Sequence, residues 1–306
     1  MSSFTTVNLA DLAPPDVIET LDFEAILAEM IADLQARDPS FTALVESDPA
    51  FKVLEVCAYR EVILRQRVND AARAVMLASA RGNDLGQIGA NYEVQRLTID
   101  PGDPTAIPPI DPVYEEDDDY RKRIQLSPEG YTTAGSEGSY TFHGLSADPD
   151  VKDIQAVSPT PGVVNVYVLS RTGDGEAGTP LLDTVEAALN GERVRPMTDN
   201  VTVQSAAIID YVIEAELVMY PGPDAEVVRT AAAAALAEYV AAVHRIGYDV
   251  SLSGVNAALH QPGVQRVKLI GATPTPDSEG LLVAISDGEA PKCTDITVTV
   301  AGDTDV

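Results

Sequence analysis

Residues 50–81 carry too many apolar side chains for a helix that keeps one side in water, and this excess limits what the chain can fold into. At about 100° per residue, Phe51, Leu54, Cys57, Ala58, Val62, Val68, Ala72, Val75 and Met76 form a broad apolar stripe. The side that should be solvated carries Val56, Tyr59, Ile63 and Leu77. Glu61 and Arg65, one turn apart, fall inside the apolar stripe. Such a helix needs neighbours all round it. A charge pair inside an apolar face adds little stability but fixes register and choice of partner. We therefore expect a helix that completes a bundle with other subunits; the other arrangement open to it is the centre of a self-contained domain.

The 306 residues are enough for two or three domains with cores of their own. The net charge is −28, and it divides as −8, −11 and −9 over residues 1–100, 101–200 and 201–306. Even spreading means a uniformly acidic surface, which repels phosphate backbones and anionic lipid. Nucleic acid and membrane are thus not expected partners, and assembly has to be driven by apolar contact at particular patches. Cys57 and Cys293 are too few for a disulfide framework or a paired-cysteine metal site, so a reducing cytoplasm is the expected place of synthesis. No N-terminal basic-plus-apolar signal or membrane-length apolar run is present.

The period of the apolar residues gives the organisation. Asp22 is placed to cap a helix over about 23–37, with Phe23, Ile26, Leu27, Met30, Ile31 and Leu34 on one face. A short helix is expected around Phe41, Leu44 and Val45. Ser47 or Asp48 would cap the long helix, with Pro49 in its first turn and Gly82 as its stop. Asn83–Asn91 reads as a further short helix with Leu85 and Ile88. Five prolines between Pro101 and Pro112 suggest a semi-rigid linker. The acidic run Glu115–Asp119 ahead of Arg121-Lys122-Arg123 suits a helix start; it lacks the ligand periodicity and turn glycine of a calcium loop. The period then shortens to that of strands at Val151–Val157, Val163–Ser170, Val201–Ser205, Val212–Tyr220, Val264–Ile270 and Ile296–Val300. Helices are expected at about 181–190, 224–243 and 253–259. The expected fold is α+β and multidomain: a long-helix bundle region followed by two small α+β modules. The divisions are 1–100 for the helical region, 101–114 for the linker, and 115–208 and 209–306 for the modules.

Catalytic templates find little to match. His143, His244 and His260 are scattered and read as helix-end or surface residues. Gly135-Ser136-Glu137-Gly138-Ser139 is a flexible-looking stretch without a phosphate-binding lysine or a preceding strand. Arg171-Thr172-Gly173-Asp174-Gly175-Glu176 reads as a glycine-rich loop after a strand; Asp174 and Glu176 are the carboxylates a hydrolase would use. With no tryptophan and few aromatics, neither a sugar-binding platform nor a receptor-reading tip is favoured. No enzyme, cofactor or metal site is expected.

Several segments resemble one family in order along nearly the whole chain. They are Leu21–Met30, Glu46–Ala50, Leu54–Glu61, Arg65–Ala72, Arg121–Leu126, Tyr140–Ala147, Val194–Asp199 and Gln261–Val267. Together they resemble the baseplate assembly protein J family of contractile-tailed phages. One departure is local: the family's aspartate-leucine-aspartate run after the long helix stands here as Asp84-Leu85-Gly86. The resemblance implies a structural wedge subunit in the tail baseplate, made in the bacterial host cytoplasm. Two copies would join one copy of wedge protein I, and their helices would twist into a shared core bundle. The modules would spread outward into a sixfold ring around the central hub and spike proteins. A sheath-initiator-like baseplate protein would be a further partner, and the ring would support sheath attachment and contraction. The same role in a phage-derived bacteriocin or injection particle is the alternative. On this reading the bundle interface comprises Phe23, Ile26, Leu27, Met30, Leu34, Leu54, Tyr59, Glu61, Ile63, Arg65 and Val68.

Overall fold

Asp22 starts the first helix by direct capping: its Oδ1 accepts from the amides of Glu24 and Ala25 at 2.9 and 3.3 Å. In the computed structural model, which describes residues 7–41, 44–192, 194–222, 224–274 and 280–301, α1 spans Phe23–Arg37 and α2 spans Pro49–Ala74. The two helices bury Ile26, Leu27 and Ala58 between them, with Phe23, Met30, Ile31, Phe51, Leu54 and Val62 partly covered around the seam. Residues 42 and 43 of the short helix expected between them lie outside the described residues. Residues 44–48 form a turn instead, because Asp48 folds its carboxylate back onto the amide of Val45 at 3.0 Å. Asp48 therefore stands at the N-cap of α2 without capping it through its side chain, while Pro49 takes the first helical position as expected.

The long helix is shorter than its pattern. It stops at Ala74, and Gly82, expected as its stop, opens the next helix, α3 (Gly82–Asn91), with φ +52°. The cause lies far along the chain. Arg121 donates to the carbonyls of Leu77 and Ala80, each at 2.7 Å, and the Asp117 carboxylate accepts from the Gly82 amide at 3.1 Å. Ser79 Oγ also donates to the Arg73 carbonyl at 2.8 Å. Backbone groups that would extend α2 are thus bound elsewhere. Leu85 of α3 is fully buried, whereas Gly86, at the family's second aspartate position, faces open space.

The proline-rich stretch is flanked by two short antiparallel strands, β1 (Thr98–Asp100) and β2 (Val113–Tyr114), and is closed by a bridge between Asp103 and Ile110. Next, α4 (Asp117–Leu126) begins on three aspartates, as the helix dipole favours. By contact the chain divides into two compact units: Val7–Arg96 with Glu116–Ile124, and Leu97–Glu115 with Gln125–Val306.

In the second unit, Ser136 accepts from the Ser139 amide at 3.2 Å and so caps α5 (Glu137–Leu145); the stretch expected to be flexible is a helix start. A three-stranded sheet follows, in the order β3 (Val151–Thr160), β4 (Val163–Ser170), β5 (Asn200–Ser205). The first pair is antiparallel and the second parallel, and α6 (Thr179–Leu189) makes the crossover that a parallel pair requires. Tyr140, Leu145, Val166, Val168, Val185 and Leu189 fill the core beneath.

Only Ala206 separates β5 from β6 (Ala207–Met219), on which Tyr211, Ile213, Ala215 and Leu217 are buried with the period of a strand. They meet Val228, Ala232 and Leu236 of α7 (Ala225–Val243). The remaining elements are β7 (Val250–Ser251), α8 (Leu252–Leu259), β8 (Val264–Thr273), β9 (Leu281–Val283) and β10 (Glu289–Val300). The second sheet runs β10-β6-β8, with β6 parallel to β10 and antiparallel to β8. Both β6 and β10 begin earlier than their patterns suggest, because they pair from Ala207↔Glu289 onward. Pro291 hides the start of β10 in the sequence, and its place on an edge strand is where proline is tolerated.

The two sheets interlock. Leu169, Ala206, Ile246 and Ala290 form a small core shared by their elements, flanked by Tyr167 and Ile208. The buried Gln155 side chain donates to Asp287 Oδ1 at 2.9 Å and accepts from the Gly288 amide at 2.8 Å. Asp153 accepts from the Ile246 amide at 3.2 Å. Gly288 has φ +78°, and a side chain there would run into the Tyr167 ring.

Two changes test this packing by urea unfolding. Gln155→Leu strands the buried Gly288 amide and should cost about 1–3 kcal/mol. The Tyr211 hydroxyl is buried without a hydrogen-bond partner among the described residues, so Tyr211→Phe should leave stability unchanged or raise it by about 1 kcal/mol. A clear loss on Tyr211→Phe would mean that the hydroxyl is satisfied.

Candidate assembly interface

The helical unit presents α2 in two halves. One half faces α1: Phe51, Leu54, Ala58 and Val62 pack there against Phe23, Ile26, Leu27 and Met30. Of the residues expected at a subunit interface, these five (Phe23, Ile26, Leu27, Met30 and Leu54) therefore meet inside the chain's own helical hairpin, and Leu34 is half-buried further along α1. The opposite half is uncovered in the free chain. Tyr59 is 58%, Ile63 41% and Val68 56% exposed, joined by Val53, Val56 and Leu64. A typical surface helix is polar on that side.

The Glu61–Arg65 pair falls in line with Leu54, Ala58 and Val62 on the inner half, and it is part-exposed rather than buried. Arg65 Nε donates to Glu61 Oε1 at 2.9 Å, and its Nη1 reaches Glu19 at 3.3 Å. Hydrogen bonding to Glu61 first, and then the carboxylate charges, hold the guanidinium pKa above its ordinary value. The lead segment thus runs alongside α2 where apolar neighbours were expected. Its firmer anchor is Asn69, a residue the sequence reading did not single out. Asn69 is buried and binds Glu19 at both backbone groups: Oδ1 accepts from the amide at 3.0 Å, and Nδ2 donates to the carbonyl at 2.9 Å. The signal was an asparagine in line with Phe51, Ala58 and Val62 at helical spacing. Beside it an open groove of about 710 Å³ is lined by Leu21, Val62, Ile63, Gln66, Arg67, Asp70, Ala71, Ala74 and Asp84.

A second cluster holds the far end of the unit. Tyr120 of α4 is buried and donates to the Val94 carbonyl at 2.8 Å; a Cβ on Gly89 would overlap its hydroxyl. Arg96 lies 4.8 Å from the Tyr120 ring centre and pairs with Asp117 at 2.5 Å. That hydrogen bond holds the Asp117 carboxyl below its ordinary range against the opposing effect of burial.

The quoted segments of the second unit are also mutual supports. Tyr140 donates to Asp199 Oδ2 at 2.8 Å while Arg195 holds the Asp199 carbonyl at 2.7 Å, which joins two of those segments. In the last one, the Val264 amide bonds to the Gln261 carbonyl and the Tyr220 amide to that of Gly263, both at 2.9 Å.

The histidines all stand at helix ends. His143 Nε2 lies 3.2 Å from the Gly130 carbonyl and His244 Nδ1 2.6 Å from that of Pro291, and burial holds both below the ordinary histidine value of 6.5. His260 is the C-cap residue of α8. Asp174 and Glu176 are exposed in the turn after β4. Among the described residues, no three of His, Cys, Asp and Glu converge to hold a metal ion, and no helix is long and apolar enough to cross a membrane.

Comparison with known proteins adds the decisive observation. Residues 46–103, 132–205 and 211–299 match the baseplate J-like N-terminal, central and C-terminal domains in turn. The chain is also 51% identical over 303 residues to baseplate protein J of Escherichia phage P2, covering 97% of this chain and 98% of that protein. This chain belongs to the baseplate J family. The domain matches and this relative together support a structural role in a baseplate. A chain of the sixfold-symmetrised cryo-EM structure of the anti-feeding prophage baseplate aligns with 60% of this chain and 44% of its own length, at 13% identity and a TM-score of 0.43.

Two measurements check the site's chemistry. Asn69→Ala removes both anchors of Glu19 and should cost about 1–3 kcal/mol, with faster hydrogen exchange at the Glu19 amide. His143 and His244 are neutral when folded at a pH where the unfolded chain takes up protons. The unfolded state thus binds more protons below 6.5, and stability should fall as pH drops through that value. Replacing them with Gln and Asn, which keep the donor atoms, should flatten the slope from pH 7 to about pH 5.5. An unchanged slope would reject the assignment.

Proposed function

We propose that this chain is a wedge subunit of a contractile tail baseplate, two copies of which share a helical bundle with one copy of a second wedge protein, protein I. The observation that carries the reading is the bare outer half of α2. Val56, Tyr59, Ile63, Leu64 and Val68 remain in water although the inner half of the same helix already has its neighbour in α1. Full burial of a side chain of this size is worth about 1.5–3 kcal/mol, so covering several would drive association despite the acidic surface. In this arrangement residues 1–100 supply the bundle and 101–114 the linker. The modules at 115–208 and 209–306 extend outward and join neighbouring wedges into a sixfold ring around the hub and spike. A sheath-initiator-like protein attaches the sheath to that ring. The chain is made in the host cytoplasm, ends in the virion tail, and acts without cofactor or catalysis.

The test is the mass of the full chain by size exclusion with light scattering, alone and co-expressed with the product of its neighbouring tail gene. The expected result is a discrete complex of two copies of this chain and one of the partner. Ile63→Asp should abolish it, because an unpaired charge buried in the bundle costs about 3–5 kcal/mol. The free Ile63→Asp chain should keep its stability within about 0.5 kcal/mol, since Ile63 is solvent-facing there. A lone monomer that takes up no partner counts against the reading.

A further inference from the structure

We infer that the outer face of α2 receives an acidic amphipathic helix from a different chain, with Arg60 and Arg67 selecting it by charge. The inference rests on the shared-bundle reading and adds the chemistry of the partner. Helix α2 is basic in an otherwise acidic protein: Lys52, Arg60, Arg65, Arg67 and Arg73 stand against Glu55, Glu61 and Asp70. Three of those cations are paired, Lys52 with Glu55, Arg65 with Glu61 and Glu19, and Arg73 with Asp70. Arg60 and Arg67 have no ion-pair partner among the described residues, although the chain holds 48 carboxylates to 20 cations. Both are exposed, and they are seven residues apart on one line of the helix.

Val53, Val56 and Leu64, exposed by 61%, 61% and 65%, run along the same line. Apolar residues flanked by charges at heptad spacing are the pattern by which paired helices choose partners. Two copies meeting through this face would align four guanidiniums along one seam, and like charges there disfavour the pairing. A helix carrying carboxylates seven residues apart beside its apolar stripe satisfies both arginines and covers the valines and leucine. The neighbouring groove of about 710 Å³, between Leu21 and the Ile63–Arg67 turn, gives room for a large side chain from that helix. Of its own carboxylates, Asp70 is already bound by Gln66 and Arg73.

The probe is a synthetic amphipathic helical peptide with leucines at heptad core positions and glutamates beside them, compared with the same peptide carrying lysines. Binding to the full-length chain is followed by fluorescence anisotropy at low and physiological salt. The acidic peptide should bind about tenfold more tightly, with a preference that shrinks as salt rises. The double variant R60E/R67E should reverse the preference without shifting the unfolding midpoint. Equal binding of both peptides, or an unreversed preference, overturns the inference. Co-expression separates the two ideas. If Ile63→Asp blocks partner uptake and R60E/R67E does not, the bundle stands and the charge selection falls; if neither blocks it, both fall.

Discussion

The guanidinium of Arg121 binds the carbonyls of Leu77 and Ala80, and the shape of the helical unit depends on that capture. An apolar pattern running to residue 81 would otherwise carry α2 two further turns. With those carbonyls taken, and Asp117 holding the Gly82 amide, the chain turns and α3 begins. Tyr120 then lies against Gly89 and the backbone of Val94, under Arg96. The first turns of α4 are thus part of the helical unit despite their distance along the chain. The bonds from Arg121, Asp117 and Tyr120 each join a side chain to a backbone group, which is why the arrangement is specific.

A unit held this way can leave one helix face bare. α2 is fixed at its start by Pro49, along its length by α1 and Asn69, and at its end by Arg121, so its fold does not need the outer face to be covered. The evenly spread negative charge of the rest of the chain opposes unspecific pairing between copies.

The second unit solves a different problem. Two small sheets joined through a single alanine would move against each other if nothing tied them. The buried Gln155 carboxamide and the Asp153 carboxylate bind loop and turn backbone of the other sheet, and Leu169, Ala206, Ile246 and Ala290 exclude water beside them. Buried polar groups satisfied on both sides fix geometry more sharply than apolar contact alone.

Local chemistry was legible in the sequence wherever it acts within a few residues. The apolar spacing of Phe23 to Leu34 with Asp22 ahead of it set α1, the alternation along Val163–Ser170 set β4, and the histidines fell at helix ends. The excess apolar surface of α2 was equally plain, since it needs only helical geometry to be counted. What the sequence could not determine rests on partners tens of residues away. The end of α2 is decided by Arg121, the role of Asn69 by Glu19, the early start of β10 by β6, and the burial of Gln155 by Gly288. The division of α2 into an inner and an outer half belongs with these. Periodicity marks residues as apolar, but only the packed α1 decides which of them the chain covers itself and which it leaves exposed.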